Sequence, residues 1–198
     1  METKKAAIVL VDISGYTHFI RAEKTSAIHA EEIIFDLLDA VVECASHPLA
    51  FNKLEGDAAL FFAEIPTYEA ETASNIANQV QDFFDVFYRR TNLLAQERAE
   101  CSCNACQRVL DLKIKAFIHY GDVVFGQFRQ FLELAGEDVI ITHRLTKNSI
   151  PSSEYILMTE AFFRLAGNQP GLYMENFKEV FHDIGTIAGK VLYRKAGK

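Results

Sequence analysis

Two aspartates lie next to apolar segments of the sequence that predict strands. Asp12 follows the apolar run 6–11, and Asp57 follows Gly56 between two apolar segments. Each has an ordinary role, because Asp at a strand end bonds nearby backbone N–H groups and Asp in a hairpin favours the turn. If strand and hairpin are neighbours in one sheet, however, the two carboxylates share a rim, which is costly unless a cation lies between them. Mg²⁺ and Mn²⁺ prefer oxygen ligands and substrate phosphates, so the pair is a candidate two-metal site for phosphoryl transfer.

A cluster of cysteines forms a second candidate site. Three of the four cysteines lie in the segment Cys101-Ser-Cys103-Asn-Ala-Cys106, and Cys44 stands apart. Three thiolates are one short of the four ligands that a structural zinc ion needs. The fourth ligand is open between Cys44, His47 and a residue of a partner subunit. Redox-sensitive free thiols are the competing interpretation of the cluster.

Composition restricts the protein to a few classes. The chain has 198 residues, of which 49% are hydrophobic and 24% charged, a balance typical of one globular domain. Its 20 Lys and Arg against 27 Asp and Glu give a formal net charge of −7, and no basic run is present. This balance argues against nucleic acid as a partner. An anionic small ligand would need a local positive site or a divalent metal.

The apolar runs are too short for a transmembrane helix. The longest, residues 6–11, is far below the roughly 20 residues that a membrane span needs. The N-terminus does not resemble a signal peptide, because Asp12 interrupts the apolar stretch and no small-residue cleavage site follows. We therefore expect a cytoplasmic protein with no membrane partner.

Hydrophobic spacing predicts the elements that position these residues. A continuous apolar run predicts a buried strand at 4–12, and apolar residues at helical spacing predict helices at 27–45 and 68–96. Gly56-Asp57 predicts a hairpin between strands 51–55 and 58–64. This order mixes a βαβ-type crossover with hairpins, which predicts a mixed sheet with helices packed on it. The next predicted elements are a strand at 111–120, a turn at Gly121-Asp122 into 123–125, and a strand at 128–134. A helix at 136–147, a strand at 154–158 and a helix at 159–165 capped by Thr159 follow. The last two predicted strands lie near 174–181 and 187–194.

Four sequence blocks resemble, in order, the class III adenylyl/guanylyl cyclase catalytic domain. They are VDISGYT at 11–17, similar to the family's xDIxGFT; KLEGDA at 53–58, similar to KxxGDA; IHYGDVVFG at 118–126, similar to IHxGxVxxG; and GEDVIITHRL at 136–145, similar to GxxVNxAxRL. ILMT at 156–159 and DIG at 183–185 also resemble the end of family members. The resemblance covers nearly the whole chain.

The resemblance implies both a fold and an activity. The fold is α/β (α+β), with a ferredoxin-like βαββαβ core and a mixed sheet. It implies a single cyclase-homology domain over 1–198, in which 98–110 is a Cys-rich loop insertion. The activity it implies is metal-dependent conversion of a nucleoside triphosphate, expected to be a purine nucleotide, to a 3′,5′-cyclic nucleotide and pyrophosphate. The site would form at the interface of a homodimer.

The resemblance also assigns metal ligands. Asp12 and Asp57 match the two metal-binding aspartates of the family, and the backbone carbonyl of Ile13 would join them. The bound Mg²⁺ or Mn²⁺ would lower the pKa of the ribose 3′ hydroxyl and neutralise the phosphates.

Substrate contacts follow from the same resemblance. Lys53 matches the position that reads the purine base, with Glu133 as its partner. Phe19 would lie in the first helix, near the nucleotide. Arg144 matches the arginine that contacts the phosphates in the transition state, and it would be donated by the other subunit.

One position departs from the family pattern. The family's second transition-state residue is an Asn, and Ile140 occupies that position here. Because Ile cannot hydrogen bond, the loss typically costs on the order of 10²–10³ in turnover. Either His143 or Asn148 substitutes for it, or the enzyme is slow, or the protein is no longer a cyclase.

Two other functions stay open beside the cyclase. A catalytically degenerate cyclase homology domain would bind nucleotide or a partner without turnover, and Ile140 and Glu133 favour it. A zinc-pinned interaction module is a different class of function, and the cysteine cluster favours it. The intact residues at the other matched positions argue against a degenerate domain; they are Asp12, Asp57, Lys53 and Arg144.

Overall fold

The computed structural model describes residues 1–21, 26–65 and 69–194. The predicted start of the second long helix, at Tyr68, lies outside these ranges. The helices are α1 (Tyr16–Arg21), α2 (Ala27–Cys44), α3 (Ala70–Glu97), α4 (Asn104–Gln107), α5 (Glu137–Arg144) and α6 (Glu160–Ala166). The strands are β1 (Glu2–Ser14), β2 (Ala50–Glu55), β3 (Ala58–Glu64), β4 (Lys113–Phe128), β5 (Phe131–Ala135), β6 (Tyr155–Thr159), β7 (Leu172–Phe181) and β8 (Gly185–Arg194).

The strands of the described residues form one mixed sheet in the order β2-β3-β1-β4-β6-β8-β7, and β5 pairs with β4. The pairs β2–β3, β3–β1 and β1–β4 are antiparallel, whereas β6 runs parallel to β4. The unit β1-α2-β2-β3-α3-β4 therefore has the ferredoxin-like arrangement, with β1 and β3 inside and β2 and β4 flanking them. The predicted α/β fold with a βαββαβ core and a mixed sheet is confirmed.

The central strand β1 is buried on both faces, as its apolar run predicts. Alternate side chains of a strand point to opposite faces. Ala7, Val9 and Val11 face a core shared with α2, α3 and α6. Ile8 and Leu10 face a second core, under α5, β7 and β8. Both cores are rich in phenylalanine, as the composition indicates; the helix-side core contains Phe61, Phe83, Phe84, Phe87 and Phe162, and the opposite core contains Phe117, Phe125, Phe177 and Phe181.

The predicted turn at Gly121-Asp122 is wrong. β4 continues through these residues and pairs with β1 from Lys113 to Phe125, with Gly121 opposite Ala6. A Cβ on Gly121 would lie 2.1 Å from Cγ of Asp138. Glycine is required there because the carboxylate of α5 occupies the space of a side chain, and not because the chain reverses.

The partly exposed carboxylate of Asp138 ends a polar chain that continues through the buried side chains of His119 and Thr159. His119 Nε2 lies 2.7 Å from Asp138 Oδ1, and the N–H of Asp122 donates to Asp138 Oδ2 at 2.6 Å. His119 Nδ1 lies 2.8 Å from the hydroxyl of Thr159. Thr159 is the N-cap residue of α6, as predicted, but its side chain makes no capping hydrogen bond. The hydrogen bond from His119 is the main cause that lowers the pKa of Asp138.

The long helices do not resemble membrane spans. Among residues 1–21, 26–65 and 69–194, no helix is both long enough and apolar enough to cross a bilayer.

We expect Gly121→Ala to lower the free energy of unfolding by about 2 kcal/mol or more. The new methyl group would displace the Asp138 carboxylate from its hydrogen bonds to His119 and Asp122, and overpacking alone typically costs about 1–3 kcal/mol. Urea unfolding measures the change. Gly126→Ala is the matched control on the same strand, because its Cβ would meet only the Met1 side chain, at 3.7 Å. Equal stability of the two variants would contradict this role of Gly121.

Candidate functional site

The end of β1 and the β2–β3 turn form one rim of the sheet. Asp12 pairs in register with Ala58, at the start of β3. One residue further, the N–H of Ile13 donates to the carbonyl of Asp57 at 3.0 Å. Gly56 allows the tight turn because its φ is 65°, in the left-handed region. The structure thus places the two candidate carboxylates on neighbouring strand ends.

Electrostatics at this rim disfavour two bare carboxylates. Burial, followed by the charge of Asp57, raises the pKa of Asp12 from 3.8 to about 6. Burial is also the main cause that raises the pKa of Asp57, and the carboxylate of Glu31 adds to it. Lys115 opposes both shifts. A divalent cation would supply the positive charge that lets both aspartates ionise at neutral pH.

The donor set fits a hard divalent cation. Carboxylate and carbonyl oxygens are the ligands that Mg²⁺ and Mn²⁺ prefer, with water and phosphate oxygens completing the coordination. Asp12, Asp57 and the carbonyl of Ile13 supply such oxygens. The neighbouring Ser14 hydroxyl is buried and has no hydrogen-bond partner among the described residues. An orphaned buried hydroxyl next to these oxygens leaves one more polar group for a ligand of this rim.

Lys53 and Glu133 come together across two elements. Nζ of Lys53, on β2, lies 2.7 Å from Oε2 of Glu133, on β5. A second contact joins the same elements, because Asn52 Nδ2 donates to the carbonyl of Leu132 at 2.8 Å. Both charged side chains keep more than a third of their surface exposed. The pair therefore presents one cation and one carboxylate to a ligand side by side.

Helix α5 carries the residues matched to the transition state. Ile140 is 50% exposed. Arg144 is also exposed, and its Nη2 lies 2.6 Å from Oδ2 of Asp183. Nδ1 of His143 lies 3.3 Å from Oε2 of Glu55, two residues before Asp57. The helix therefore presents an apolar surface at 140, flanked by cationic or protonatable groups.

Asn148 is held by its own subunit. Its amide nitrogen donates to the carbonyl of Leu145 and to the hydroxyl of Tyr155, each at 2.6 Å. Its amide oxygen accepts from the N–H of Ile150 at 2.9 Å. Because all of its polar atoms are engaged, Asn148 cannot replace the missing Asn without breaking these bonds. Of the two substitutes considered, His143 remains.

Phe19 lies in the helix-side core. It is 4% exposed and belongs to the cluster that α2 and α3 form. Together with Gly15 and Leu112 it lines a small cleft beneath the turn that follows β1. Phe19 is therefore a core residue next to the turn between β1 and α1, the segment that the sequence predicts near the nucleotide.

The three cysteines converge on a residue that sequence reasoning missed. Nδ1 of His29 lies 3.4 Å from Sγ of Cys101 and 3.5 Å from Sγ of both Cys103 and Cys106. Of the options predicted for the fourth ligand within the chain, neither Cys44 nor His47 belongs to the cluster, because Cys44 ends α2 and His47 lies beyond it, whereas His29 lies in the first turn. His29 is more than 70 residues away in sequence and is a lone histidine at a helix start, so the sequence offers almost no signal for it.

A family of proteins of unknown function, designated DUF2652, matches residues 34–155. The chain belongs to this family. An uncharacterized protein from Mycobacterium tuberculosis, Rv2561/Rv2562, is 34% identical over 124 residues, which cover 63% of this DUF2652 chain and 56% of the mycobacterial protein. The chain thus matches little more than half of the length of that curated relative.

Solved structures of cyclases share the fold of this DUF2652 protein. The adenylyl cyclase CyaB from P. aeruginosa aligns with a TM-score of 0.76 at 17% identity, covering 98% of this chain and 96% of that one. The guanylyl cyclase Cya2 aligns with a TM-score of 0.74 at 13% identity, covering 98% and 94%. The guanylate cyclase domain of RhGC from Catenaria anguillulae, in complex with GTP, aligns with a TM-score of 0.69 at 13% identity, covering 99% and 100%. The fold is that of the class III cyclase catalytic domain, as the four sequence blocks predict.

We expect Asp12→Asn to raise the free energy of unfolding by about 2 kcal/mol at pH 7, without added divalent cations. A pKa near 6 in the folded state, against 3.8 as the ordinary value, means that ionising Asp12 destabilises the fold by roughly 3 kcal/mol, reduced by partial exposure. Because the folded pKa is raised, this penalty is absent below about pH 4 and grows as the pH rises through 6. Urea unfolding at pH 4 and pH 7 measures it.

Asp39→Asn, which removes an exposed carboxylate on α2, is the matched control. It should change stability little at either pH. A stabilisation by Asp12→Asn that persists undiminished at pH 4, or a loss of stability at pH 7, would contradict the electrostatic account of the rim.

Proposed function

We propose that this DUF2652 protein is a class III nucleotidyl cyclase that converts a purine nucleoside triphosphate to a 3′,5′-cyclic nucleotide and pyrophosphate. The observation that supports the proposal is the backbone pairing that brings Asp12 and Asp57, the matched metal ligands of the first two sequence blocks, to neighbouring strand ends. The fold supports the proposal, and so do the nucleotides in the structural relatives, one crystallised with GTP and another with ATPαS.

The two aspartates and the Ile13 carbonyl would hold Mg²⁺ or Mn²⁺. When bound, the metal lowers the pKa of the ribose 3′ hydroxyl and offsets the charge of the triphosphate. The chain's own contribution is to fix these oxygens on neighbouring strand ends. The hydrogen bond between Ile13 and Asp57 keeps them in place without the ligand. Such preorganisation reduces the cost of orienting groups during reaction.

The Lys53–Glu133 pair would read the base. The ammonium donates hydrogen bonds and the carboxylate accepts them, so together they match an edge with both an acceptor and an exocyclic N–H group. Adenine and guanine each offer such combinations, and the pair of charges does not choose between them. Base selectivity is therefore an outcome of the assay below.

A second copy of the chain would complete each site. The β4–β5 hairpin carries exposed apolar side chains, with Phe128 64%, Phe131 56% and Leu132 38% exposed, directly beside Glu133. Exposed apolar patches of this kind mark interaction surfaces. One structural relative is described as a dimeric guanylyl cyclase domain. A two-fold dimer would bring Arg144 of one subunit to the nucleotide of the other, where its guanidinium stabilises negative charge in the transition state.

We expect purified protein incubated with ATP, GTP, CTP or UTP and Mn²⁺ to form a cyclic nucleotide from ATP or GTP. Mass spectrometry distinguishes a 3′,5′-cyclic product from simple hydrolysis. Asp57→Ala should abolish the product, because it removes a metal ligand from the turn. Asp39→Ala, on α2 and away from the rim, should leave turnover unchanged.

The dimeric site has its own control. Mixing inactive Asp57→Ala with inactive Arg144→Ala subunits should restore about a quarter of the activity, since half of the random dimers contain one site with all its groups. No recovery after proven subunit exchange would contradict a shared site. Product that survives in Asp57→Ala would contradict the role of the rim.

Ile140→Asn is expected to raise kcat by at least about tenfold. Restoring a hydrogen-bond donor near the transition state recovers part of the factor on the order of 10²–10³ that such a donor supplies. Ile140 is 50% exposed, so the fold should tolerate the change. Ile140→Val, which adds no hydrogen-bonding group, is the control and should not accelerate turnover. Unchanged kcat in Ile140→Asn would show that His143 or another group already serves.

Ile140 also favours a second candidate function, a degenerate domain that binds nucleotide without turnover. A nucleotide- and Mn²⁺-dependent rise in Tm, absent in Asp57→Ala and without product formation, would establish that function instead. No thermal shift with any nucleotide would exclude both.

A further inference from the structure

The cluster of His29, Cys101, Cys103 and Cys106 is a group of four donors that the proposed cyclase chemistry does not use. All four donor atoms lie within 4.8 Å of one another. Each sulfur lies 3.4 to 3.5 Å from the same nitrogen, Nδ1 of His29. The segment that carries the cysteines follows α3, and His29 belongs to α2, so the cluster joins two distant parts of the chain.

Hydrogen bonding alone does not account for this geometry. A single ring nitrogen carries either one hydrogen or one lone pair, so it makes one good hydrogen bond. One hydrogen bond therefore does not explain why three sulfurs lie at nearly equal distance from this nitrogen. A tetrahedral zinc ion, with Zn–S of about 2.3 Å and Zn–N of about 2.0 Å, separates sulfur from nitrogen by about 3.5 Å. All three observed distances agree with that value.

The surroundings supply the charge and bonds that such a centre needs. Three thiolates and Zn²⁺ carry a net charge of −1, and the Arg98 guanidinium hydrogen bonds to the sulfur of Cys106. Arg98 is itself positioned by Glu32, at 3.0 Å. Gln107 Nε2 donates to the carbonyl of Cys101 at 2.6 Å and closes the loop. Outer contacts of this kind orient the ligands of metal centres.

We propose that the chain binds one Zn²⁺ ion through Nδ1 of His29 and the thiolates of Cys101, Cys103 and Cys106. Four protein ligands fill the tetrahedral coordination, so the centre is structural and leaves no position for substrate. Binding releases the thiol protons to solvent and involves no change of oxidation state. The three soft sulfur ligands favour zinc over Mg²⁺ or Mn²⁺, which separates this centre from the carboxylate rim.

The zinc centre would pin the beginning of α2 to the Cys-rich segment. Two residues after His29, the carboxylate of Glu31 accepts a hydrogen bond from the Tyr16 hydroxyl at 3.0 Å. Tyr16 begins α1, directly after the turn at Gly15. The metal would therefore hold α2, and through Glu31 the start of α1, in place.

The first test is the metal content of protein purified under reducing conditions without added metal. We expect about one zinc per chain, and expect His29→Ala to lower the zinc affinity more than about 100-fold, because it removes a ligand rather than an outer contact. Competition with a chromophoric chelator measures the affinity. His29→Cys should restore tight binding as a four-thiolate site. Cys44→Ser and His47→Ala are matched controls, and both should retain one zinc per chain.

Cobalt titration of the metal-free wild-type protein tests the same site without any variant. We expect the intense visible bands of tetrahedral Co²⁺ and thiolate-to-cobalt charge transfer, at one equivalent. Wild-type protein with reduced thiols that takes up neither zinc nor cobalt would overturn the proposal. Undiminished zinc affinity in His29→Ala would overturn His29 as the fourth ligand. Both readouts are independent of cyclase activity, so a negative result here leaves the proposed function standing, and the reverse holds too.

Discussion

The backbone hydrogen bond from Ile13 to the carbonyl of Asp57 is the contact on which the candidate site depends. It extends the antiparallel pairing of β1 and β3 by one residue, to Asp57 in the turn before β3. A shift of this register by one residue would move every side chain of β1 to the opposite face. Because both faces of β1 are buried in different cores, the register is fixed by packing. The hydrophobic cores therefore position the two carboxylates that a metal would need.

Much of this arrangement could be predicted from the sequence because its signals are local. The apolar run of β1, the periodicity of α2 and the Gly56-Asp57 turn each specify an element from neighbouring residues. Where the sequence misled, the cause was tertiary. Gly121 has the signature of a turn, yet it is a strand residue that leaves room for Asp138. Thr159 has the signature of a helix cap, yet its hydroxyl is bound by His119.

The fourth donor of the cysteine cluster shows the same limit. The spacing of the three cysteines is visible in the sequence. His29, however, precedes α3, whereas the cysteines follow it. Only the packing of α2 against the segment brings it near. The two proposed metal sites differ in the type of ligand. Oxygen ligands at the rim suit a hard cation that exchanges with substrate, whereas sulfur ligands suit a permanently bound structural zinc ion. The hydrogen bond from Tyr16 to Glu31 links α1, which follows the carboxylate rim, to α2, which carries His29.

Helix α5 shows why the residue at position 140 can vary without moving the helix. The helix is anchored at its beginning by Asp138, which bonds His119 and the backbone of Asp122. Ile140 is half exposed and takes no part in that anchoring. The identity of residue 140 therefore affects what the helix presents on its exposed surface far more than where the helix lies. Fold and chemistry are separable at this position, because the contacts that place α5 are made two residues earlier, by a different side chain.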